Sequence, residues 1–310
     1  MKKLTAGFVL LVMLLLPVSA QAQTLIPGGQ VIGIKLGDPL TVAAFDPGSS
    51  AAKDAGIRIG DRITHINNIK VETVQGIKEA LNTATGTVEV RYVRNGTENA
   101  LSVTPRSGKL GIYMKQCVTG IGTVTYYDPD SGNFGALGHG VNDSGGNLLP
   151  MDKGAAFDAS VVSVQPGSSG DPGRLMGMLK GDKKLGQLYK NTPQGIFGAS
   201  SHLPDTAALE TGQAKVGEAV IRSTVSGKGL QEYSVKILKI YASDRTGGRN
   251  MLLKITDPAL LSATGGIVQG MSGSPIIQDG KLVGAVTHVL VNDPTTGYGI
   301  FIENMLDAAA

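Results

Sequence analysis

Residues 270–289 read GMSGSPIIQDGKLVGAVTHV, a serine flanked by glycines that runs straight into a hairpin. A serine hydroxyl is a weak nucleophile until a base removes its proton, and the oxyanion that it then forms needs converging backbone N–H donors. Gly270 and Gly273 allow the positive φ angles that would aim the N–H groups of Gly270 and Ser272 at an oxyanion. The Asp279-Gly280 turn predicts a tight hairpin behind this loop. The stretch therefore predicts a nucleophilic Ser272 within a rigid β-rich frame.

The composition supports a β-rich chain of two domains. The 310 residues include 44 glycines and no tryptophan, with 41% apolar and 17% charged residues. Many short β-branched runs are separated by Gly, Pro, Asn and Asp, which is typical of strands and turns. The formal charge of +3 gives no indication of a polyanionic partner such as a nucleic acid.

The segment at positions 1–22 resembles an export signal. Lys2 and Lys3 precede an apolar stretch from about Leu4 to Leu16, and Ala20-Gln21-Ala22 places small residues where a signal peptidase cuts. The apolar stretch is shorter than the roughly 20 residues that span a bilayer, which favours cleavage over retention as an anchor. Both alternatives predict an extracytoplasmic protein. The single cysteine, Cys117, is expected to be an ordinary core residue without a disulfide.

A Pro-Ser-Gly cluster at residues 105–108 predicts a boundary between two domains. Before it, SSAAKDAGIRIGDRITHINN and the amphipathic VQGIKEALNTA resemble a PDZ domain over residues 26–105. PDZ domains bind an extended peptide end by β-addition beside a helix, and a loop of backbone N–H groups receives the terminal carboxylate. The resemblance implies that this loop comprises Val31, Ile32, Gly33 and Ile34. The alternative is a packing module without a working groove.

Residues 106–310 contain mostly short alternating strands without βαβ order, which favours paired antiparallel barrels. The run G-x-S-G-x-P, followed by a strand, a turn, GKLVGAV and a terminal helix, resembles the end of chymotrypsin-like serine peptidases. The fold expectation is thus mainly β, with a small α+β PDZ domain followed by an antiparallel double β-barrel.

The chain contains four histidines that could serve as the base. His65 lies in the PDZ-like segment and His202 in a polar loop. His139 ends a strand between Gly138 and Gly140, which leaves its ring exposed as a base requires. His288 lies in the strand after the nucleophile, where the chymotrypsin-like fold lines its substrate cleft with residues 287–289 (Thr287, His288 and Val289). We therefore predict His139 as the base and His288 as a cleft-wall or structural residue.

Together these segments resemble the SpoIVB peptidases, the stage IV sporulation protein B family. PGGQVIGIKL, GIGTVTYYDPDSGNFGALGHG and ITDPALL followed by GGIVQGMSGSPIIQDGKLVGAVTHVLVNDPTTGYGIFIENML carry the resemblance. It implies a triad of His139, Asp257 and Ser272, with no cofactor. It also implies a peptidase exported into the space around the forespore that cleaves itself and the extracytoplasmic part of a membrane regulator of late sigma-factor processing.

The acid is the residue that physical reasoning supports least. It must lie beside His139 to orient the imidazole, yet Asp257 is only fifteen residues before the serine, closer than in chymotrypsin-like chains. Asp257-Pro258 also matches an ordinary helix N-cap, and Asp143 and Asp158 remain as rivals. The residue before the serine is Met271, so the aspartate that binds a newly cut amino terminus in many such enzymes is missing.

A non-catalytic alternative is a secreted PDZ adaptor whose peptidase-like domain only binds. A metal enzyme fits poorly, because no H-E-x-x-H run or paired Cys/His spacing occurs in the sequence, and no metal site is predicted.

Overall fold

A computed structural model describes residues 22–37, 40–115, 118–143, 145–149, 151, 154–225, 229–241 and 248–310. The apolar part of the predicted export segment and Cys117 lie outside the described residues. Within the described residues, no helix is both long and apolar enough to cross a membrane. The predicted fold class, mainly β, is confirmed.

The described residues form twenty strands and four short helices. The strands are β1 (Thr24–Pro27), β2 (Val31–Leu36), β3 (Val42–Phe45), β4 (Arg62–Ile66), β5 (Ile69–Lys70), β6 (Val88–Arg94), β7 (Thr97–Val103), β8 (Ile112–Met114), β9 (Val118–Tyr127), β10 (Asn133–Ala136), β11 (Gly154–Gln165), β12 (Arg174–Thr192), β13 (Gly195–Ser200), β14 (Leu209–Glu210), β15 (Gly217–Ser223), β16 (Gln231–Ile240), β17 (Met251–Ile255), β18 (Pro275–Gln278), β19 (Lys281–Leu290) and β20 (Asp293–Phe301). The helices are α1 (Ala51–Ala55), α2 (Val74–Asn82), α3 (Pro258–Thr264) and α4 (Ile302–Ala309).

The first barrel closes through six strands in the order β2-β9-β10-β13-β12-β11, and β11 returns to pair with β2. All of its pairings are antiparallel, with Ile34 opposite both Gly120 and Ala156. Inward-facing side chains such as Ile32, Phe134 and Ile196 are completely buried. Alternation of inner and outer side chains along each strand therefore fills the barrel, as expected for a small closed sheet.

The second barrel has the order β15-β16-β17-β20-β19-β18. If the six strands of each barrel are numbered along the chain, their order around both barrels is first, second, third, sixth, fifth and fourth. Its core includes Ile221, Val235, Leu253 and Val286, all with no exposed surface. The shared strand order confirms the predicted antiparallel double barrel.

The predicted PDZ domain is an insertion in the first barrel. Leu36 at the end of β2 pairs with Val118 at the start of β9, and the intervening chain folds separately. It comprises a sheet of order β5-β4-β6-β7, the pair β3–β8, and helices α1 and α2, around a core that includes Ile63, Ile66 and Val90. Insertion at the paired ends of two barrel strands attaches the PDZ domain through two connections at once.

The predicted boundaries of both domains require correction. Strands β1 and β2, which the sequence placed in the PDZ domain, belong to the sheet of the first barrel. Conversely, β8 lies after residue 105 but pairs with β3 of the PDZ domain. The PDZ domain therefore spans about residues 40–115, and the peptidase domain gains residues 24–36.

The predicted carboxylate-binding loop at Val31, Ile32, Gly33 and Ile34 is wrong for the same reason. These residues form β2, which pairs with β9 on one side and β11 on the other. Both of its edges are occupied, so β2 cannot receive a peptide. A Cβ at position 33 would lie 2.0 Å from the end of the Leu179 side chain, which is partly exposed.

Candidate active site

His139 and Ser272 line one cleft between the two barrels. His139 follows β10 of the first barrel, and Ser272 precedes β18 of the second. The cleft is also lined by the apolar residues Ile34, Ile121 and Leu137 and by Gly120 and Gly270. The structure thus brings together the two residues for which the sequence predicts nucleophile and base roles, although they come from distant segments of the chain.

Two consecutive left-handed residues turn the chain into the cleft just before His139. Leu137 has φ 70° and Gly138 has φ 68°. A Cβ at position 138 would lie 2.8 Å from Thr287 Cγ2 and 3.0 Å from Ile300 Cγ2. Gly138 is therefore needed both for its backbone angle and for the close approach of the second barrel.

The His139 ring is held by a backbone carbonyl. Its Nδ1 lies 2.9 Å from the Gly140 oxygen, so Nδ1–H donates there and the lone pair of Nε2 is left to accept a proton. Burial lowers the pKa of His139 below its ordinary value, and the hydrogen bond to Gly140 only partly opposes that shift. The imidazole is consequently neutral at pH 7, as a general base must be.

His288 lies beside the candidate base. The two rings are 5.3 Å apart between centroids and tilted by 41°. Burial, with His139 and Arg249 nearby, lowers the pKa of His288 to about 4. Its Nδ1 is buried and has no hydrogen-bond partner among the described residues. A neutral second imidazole thus packs beside the base.

The predicted cleft strand, Thr287, His288 and Val289, lies in β19 with one open edge. His288 pairs with Tyr298 and Val289 with Gly297 of β20, whereas the named pairing of β19 with β18 starts only at Ala285. Within the described residues, no strand covers the other edge of residues 287–289. The Thr287 carbonyl accepts a hydrogen bond from the Ser272 hydroxyl, and the role of residues 287–289 in lining the substrate cleft stays a prediction.

The Ser272 hydroxyl is not hydrogen-bonded to the imidazole among the described residues. Its Oγ donates to the Thr287 carbonyl at 2.8 Å. The hydroxyl is therefore held at the edge of the open strand, in the cleft that His139 also lines.

The predicted oxyanion donors are the backbone N–H groups of Gly270 and Ser272. Each belongs to a peptide unit whose carbonyl, that of Gln269 or Met271, accepts a hydrogen bond. Leu175 N–H donates to the Gln269 carbonyl at 2.8 Å, and Ser274 N–H donates to the Met271 carbonyl at 3.0 Å. Because a trans peptide holds C=O and N–H in opposite directions, the N–H groups of Gly270 and Ser272 point the other way. Neither donates to a backbone carbonyl of the described residues.

Asp257 is the member of the predicted triad whose role the structure does not support. Its carboxylate accepts from Leu260 N–H at 3.0 Å as the N-cap of α3 and from Ser234 N–H at 3.3 Å. Pairing of β17 with β20 places Leu252 opposite Tyr298, and pairing of β20 with β19 places Tyr298 opposite His288. Asp257 is five residues beyond Leu252, roughly 16 Å along the strand direction. It is thus far from the base, and its carboxylate is used by the backbone.

The rival aspartates do not take its place. Asp143 Oδ1 accepts from the backbone N–H groups of Gly145 and Asn147 within its own loop, and these bonds lower the pKa of Asp143. Asp158 lies in β11 opposite Ile32. Among the described residues, no carboxylate is hydrogen-bonded to His139, and the Gly140 carbonyl is the group that orients it.

We therefore predict that Asp257→Asn retains peptidase activity within about threefold, because an asparagine still caps a helix. An acid that holds the base would instead lose about 10⁴-fold in kcat when converted to the amide. Asp257→Ala removes the cap and should lower the free energy of unfolding by about 1 kcal/mol. Steady-state kinetics and urea denaturation of both variants measure the two effects, and a collapse of kcat in a folded Asp257→Asn protein would restore it as the acid.

Sequence reasoning missed two residues that contact the serine loop. Thr123 Oγ1 donates to the Gly270 carbonyl and Thr125 Oγ1 to the Gly273 carbonyl, each at 2.8 Å. Both come from β9, in the run GTVT. Alternating threonines inside an otherwise apolar strand are the signal that could have indicated a buried hydrogen-bonding role.

Comparison with known proteins assigns the family. A SpoIVB peptidase S55 model matches residues 106–306, most of the chain, and a PDZ domain model matches residues 41–94. A search of curated proteins found no match.

Solved structures that match part of this chain include the active form of the Rv3671c protease from M. tuberculosis, with a TM-score of 0.38 and 16% identity over 62% of this chain and 75% of that one. The inactive form of Rv3671c gives 0.36 and 15% over 61% and 82%. An HtrA-type protease, AlgW, with a decapeptide gives 0.38 and 12% over 63% and 52%. The family assignment rests on the S55 match. The chain belongs to the SpoIVB peptidase S55 family and is a serine peptidase that carries a PDZ domain.

Proposed function

We propose that this protein is an exported serine endopeptidase in which Ser272 is the nucleophile, His139 the general base, and the N–H groups of Gly270 and Ser272 the oxyanion donors. The observation that carries the proposal is the anchoring of the serine loop. Its Gln269 and Met271 carbonyls are bonded inward, which leaves the two N–H groups facing outward beside a neutral histidine. Fixed dipoles of this kind stabilise charge that develops in the transition state.

In the proposed reaction, substrate binding releases the Ser272 hydroxyl from the Thr287 carbonyl and a side-chain rotation turns it toward His139. Nε2 of His139 takes the hydroxyl proton while Oγ attacks the scissile carbonyl, and the oxyanion is received by the two N–H groups. The imidazolium then protonates the leaving amine, and water attacks the acyl-enzyme in the reverse sequence of proton transfers.

We propose that the substrate backbone binds along the open edge of β19. An extended peptide that pairs with residues 287–289 would lie directly beside Ser272, whose hydroxyl already contacts the Thr287 carbonyl. Main-chain pairing gives affinity without strict sequence demands. His288, whose ring lies beside that of His139, would then be placed to contact a substrate side chain.

The second proposed binding site is the groove between α2 and β8 of the PDZ domain, in place of the β2 loop. Val74, Ile77 and Leu81 of α2 form one wall, and residues 107–114 form the other. The carbonyl of Gly111 accepts from Asp46 N–H, and Lys115 N–H donates to the Thr41 carbonyl, both toward the side of β3. Because backbone groups alternate along a strand, those of Ile112 and Met114 face the groove, where a peptide could add as a strand.

A tight turn precedes this edge and supplies the proposed carboxylate loop. Arg106 and Lys109 exchange two backbone hydrogen bonds of 3.0 Å across Ser107 and Gly108, which have φ 50° and 71°. Neither Leu110 N–H nor Gly111 N–H donates to a backbone carbonyl among the described residues. Gly111 is required in this place, because a Cβ would lie 2.2 Å from the Ser49 oxygen. We propose that this loop receives the carboxylate of an apolar peptide terminus, with Lys109 nearby.

The proposed setting is sporulation signalling outside the cytoplasm. The family name and the export-like first segment support a peptidase delivered across the membrane, with that segment either cleaved or kept as an anchor. By family resemblance the substrates are the enzyme itself and the extracytoplasmic part of a membrane regulator of late sigma-factor processing.

Self-processing tests this proposal with the protein alone. Purified protein starting at Gln23 should shorten with time at its amino-terminal side, whereas Ser272→Ala protein should stay intact until wild-type enzyme is added. Intact mass measured over hours distinguishes the two. Equal shortening of both proteins would assign the cuts to a contaminant, and an inert wild type would favour the non-catalytic adaptor.

A further inference from the structure

The loop that carries Ser272 depends on restraints from outside itself, because Gly270 and Gly273 lie on either side of the nucleophile. They have φ 100° and 97°. Glycine populates such angles readily but is equally free to leave them. The loop stays in its donor conformation only if the peptide units on both sides of each glycine are fixed by partners.

Strand β9 supplies partners before and after Ser272, while Leu175 N–H holds the Gln269 carbonyl before Gly270. Thr123 donates its hydroxyl to the Gly270 carbonyl at 2.8 Å and its N–H to the Ser272 carbonyl at 3.0 Å. Thr125 donates its hydroxyl to the Gly273 carbonyl at 2.8 Å. Three successive contacts from one strand therefore hold the peptide units that flank the nucleophile.

Burial makes these contacts hard to replace. Thr123 and Thr125 have no exposed surface. A buried hydroxyl or carbonyl that loses its partner is left without water to bond instead. Rotation of the Gly270–Met271 peptide unit would therefore leave both the Thr123 hydroxyl and the Gly270 carbonyl without a hydrogen-bond partner. The two backbones also approach closely, since a Cβ at Gly273 would lie 2.0 Å from the Thr123 oxygen.

Met271 shows that the loop is not held by charge at the residue before the serine. Its side chain is fully buried in the apolar core of the second barrel, where it can bind no amino terminus. The hydrogen bonds from β9 to the loop form without a newly cut amino terminus.

We infer that Thr123 and Thr125 are positioning residues that hold the oxyanion loop in its donor conformation, so that no newly cut amino terminus is needed to order it. This inference rests on the proposed roles of Gly270 and Ser272. It also identifies β9, whose first residue pairs with the last residue of β2 at the PDZ insertion, as the strand that links the insertion to the loop.

The test uses full-length variants that remove one hydroxyl each without changing side-chain size: Thr123→Val and Thr125→Val. Each should lower kcat for a small peptide ester about tenfold, as expected for loss of one buried hydrogen bond, with KM within twofold. The Ki of a peptide boronate, which forms a tetrahedral adduct on the serine, should rise by the same factor. Thr123→Ser, which keeps the hydroxyl, should recover activity to within about threefold of wild type.

Thr119→Val is the matched control, because Thr119 lies in the same strand with its side chain exposed. It should leave kcat, KM and boronate affinity unchanged. Circular dichroism and thermal unfolding check folding, and if one valine variant does not fold, the other tests the same loop from its opposite end.

The outcomes distinguish failure of the proposed function from failure of the positioning role of Thr123 and Thr125. Wild-type protein that does not react with boronate at Ser272 would overturn the proposed function. Wild-type protein that reacts, together with folded Thr123→Val and Thr125→Val proteins that keep wild-type kcat and boronate affinity, would overturn only the positioning role. A rise in KM with constant kcat would also overturn it, because positioning of the oxyanion donors acts on the transition state.

Discussion

Ser272→Ala and His139→Ala should each lower kcat/KM for peptide hydrolysis by roughly 10⁴- to 10⁶-fold, and the double variant should be no slower than either single one. Residues that act as one unit in proton transfer and attack lose their contribution together. The residual rate over water would come from the oxyanion donors and from binding. Progress curves with a fluorogenic peptide at high enzyme concentration measure all three variants.

Ser274→Ala serves as the matched control. Ser274 is two residues from the nucleophile, but its side chain is buried and donates to Ser223 Oγ at 3.1 Å. We expect a small loss of stability and nearly normal kcat. Appreciable turnover by Ser272→Ala, or additive losses in the double variant, would contradict the proposed chemistry.

A peptide with an apolar carboxy-terminal residue should bind the PDZ groove about a hundredfold more tightly than the same peptide with a terminal carboxamide. Backbone N–H groups that receive a carboxylate form charge-assisted hydrogen bonds, and an amide replaces these with weaker neutral ones. Lys109→Glu should remove most of this preference, because it places a negative charge beside the proposed carboxylate loop. Fluorescence polarisation with the Ser272→Ala protein measures binding without cleavage.

Lys239→Glu makes the same charge change on an exposed residue of the second barrel and should leave the affinity unaltered. Equal binding of acid and amide, or equal effects of the two lysine variants, would place peptide recognition elsewhere.

The sequence was most informative where local rules determine the structure. A serine between two glycines before a Gly-containing hairpin indicated a constrained loop, and the loop has the predicted positive φ angles at Gly270 and Gly273. Alternating apolar residues indicated the strands of both barrels. These features depend on neighbours in the chain, so they can be predicted from it.

The errors concern contacts between distant segments. PGGQVIGIKL lies directly before the PDZ motif, yet its strand pairs with β9 and β11, which follow the whole PDZ domain in the chain. An insertion at paired strand ends leaves no mark in the sequence at either connection. The groove edge at Ile112–Met114 lies beyond the Pro-Ser-Gly cluster that resembled a boundary, because this cluster forms a tight turn inside the PDZ domain.

The acid shows the same limit. Asp-Pro at residues 257–258 had two readings, and the local one, a helix N-cap, is what the structure contains. The orientation of His139 depends on the carbonyl of the next residue and cannot be told from side-chain types. The contacts of Thr123 and Thr125 join opposite halves of the chain, so pairing of β9 with the serine loop was not predictable.

The central claim is that Ser272 is a nucleophile activated in the cleft between the barrels. Treatment of the wild-type protein with a small fluorophosphonate, followed by peptide mapping by mass spectrometry, tests it most directly. We expect a single adduct on Ser272, which should be absent from Ser272→Ala and should form much more slowly in His139→Ala. No adduct, or an adduct on another residue that persists in the Ser272→Ala protein, would contradict it.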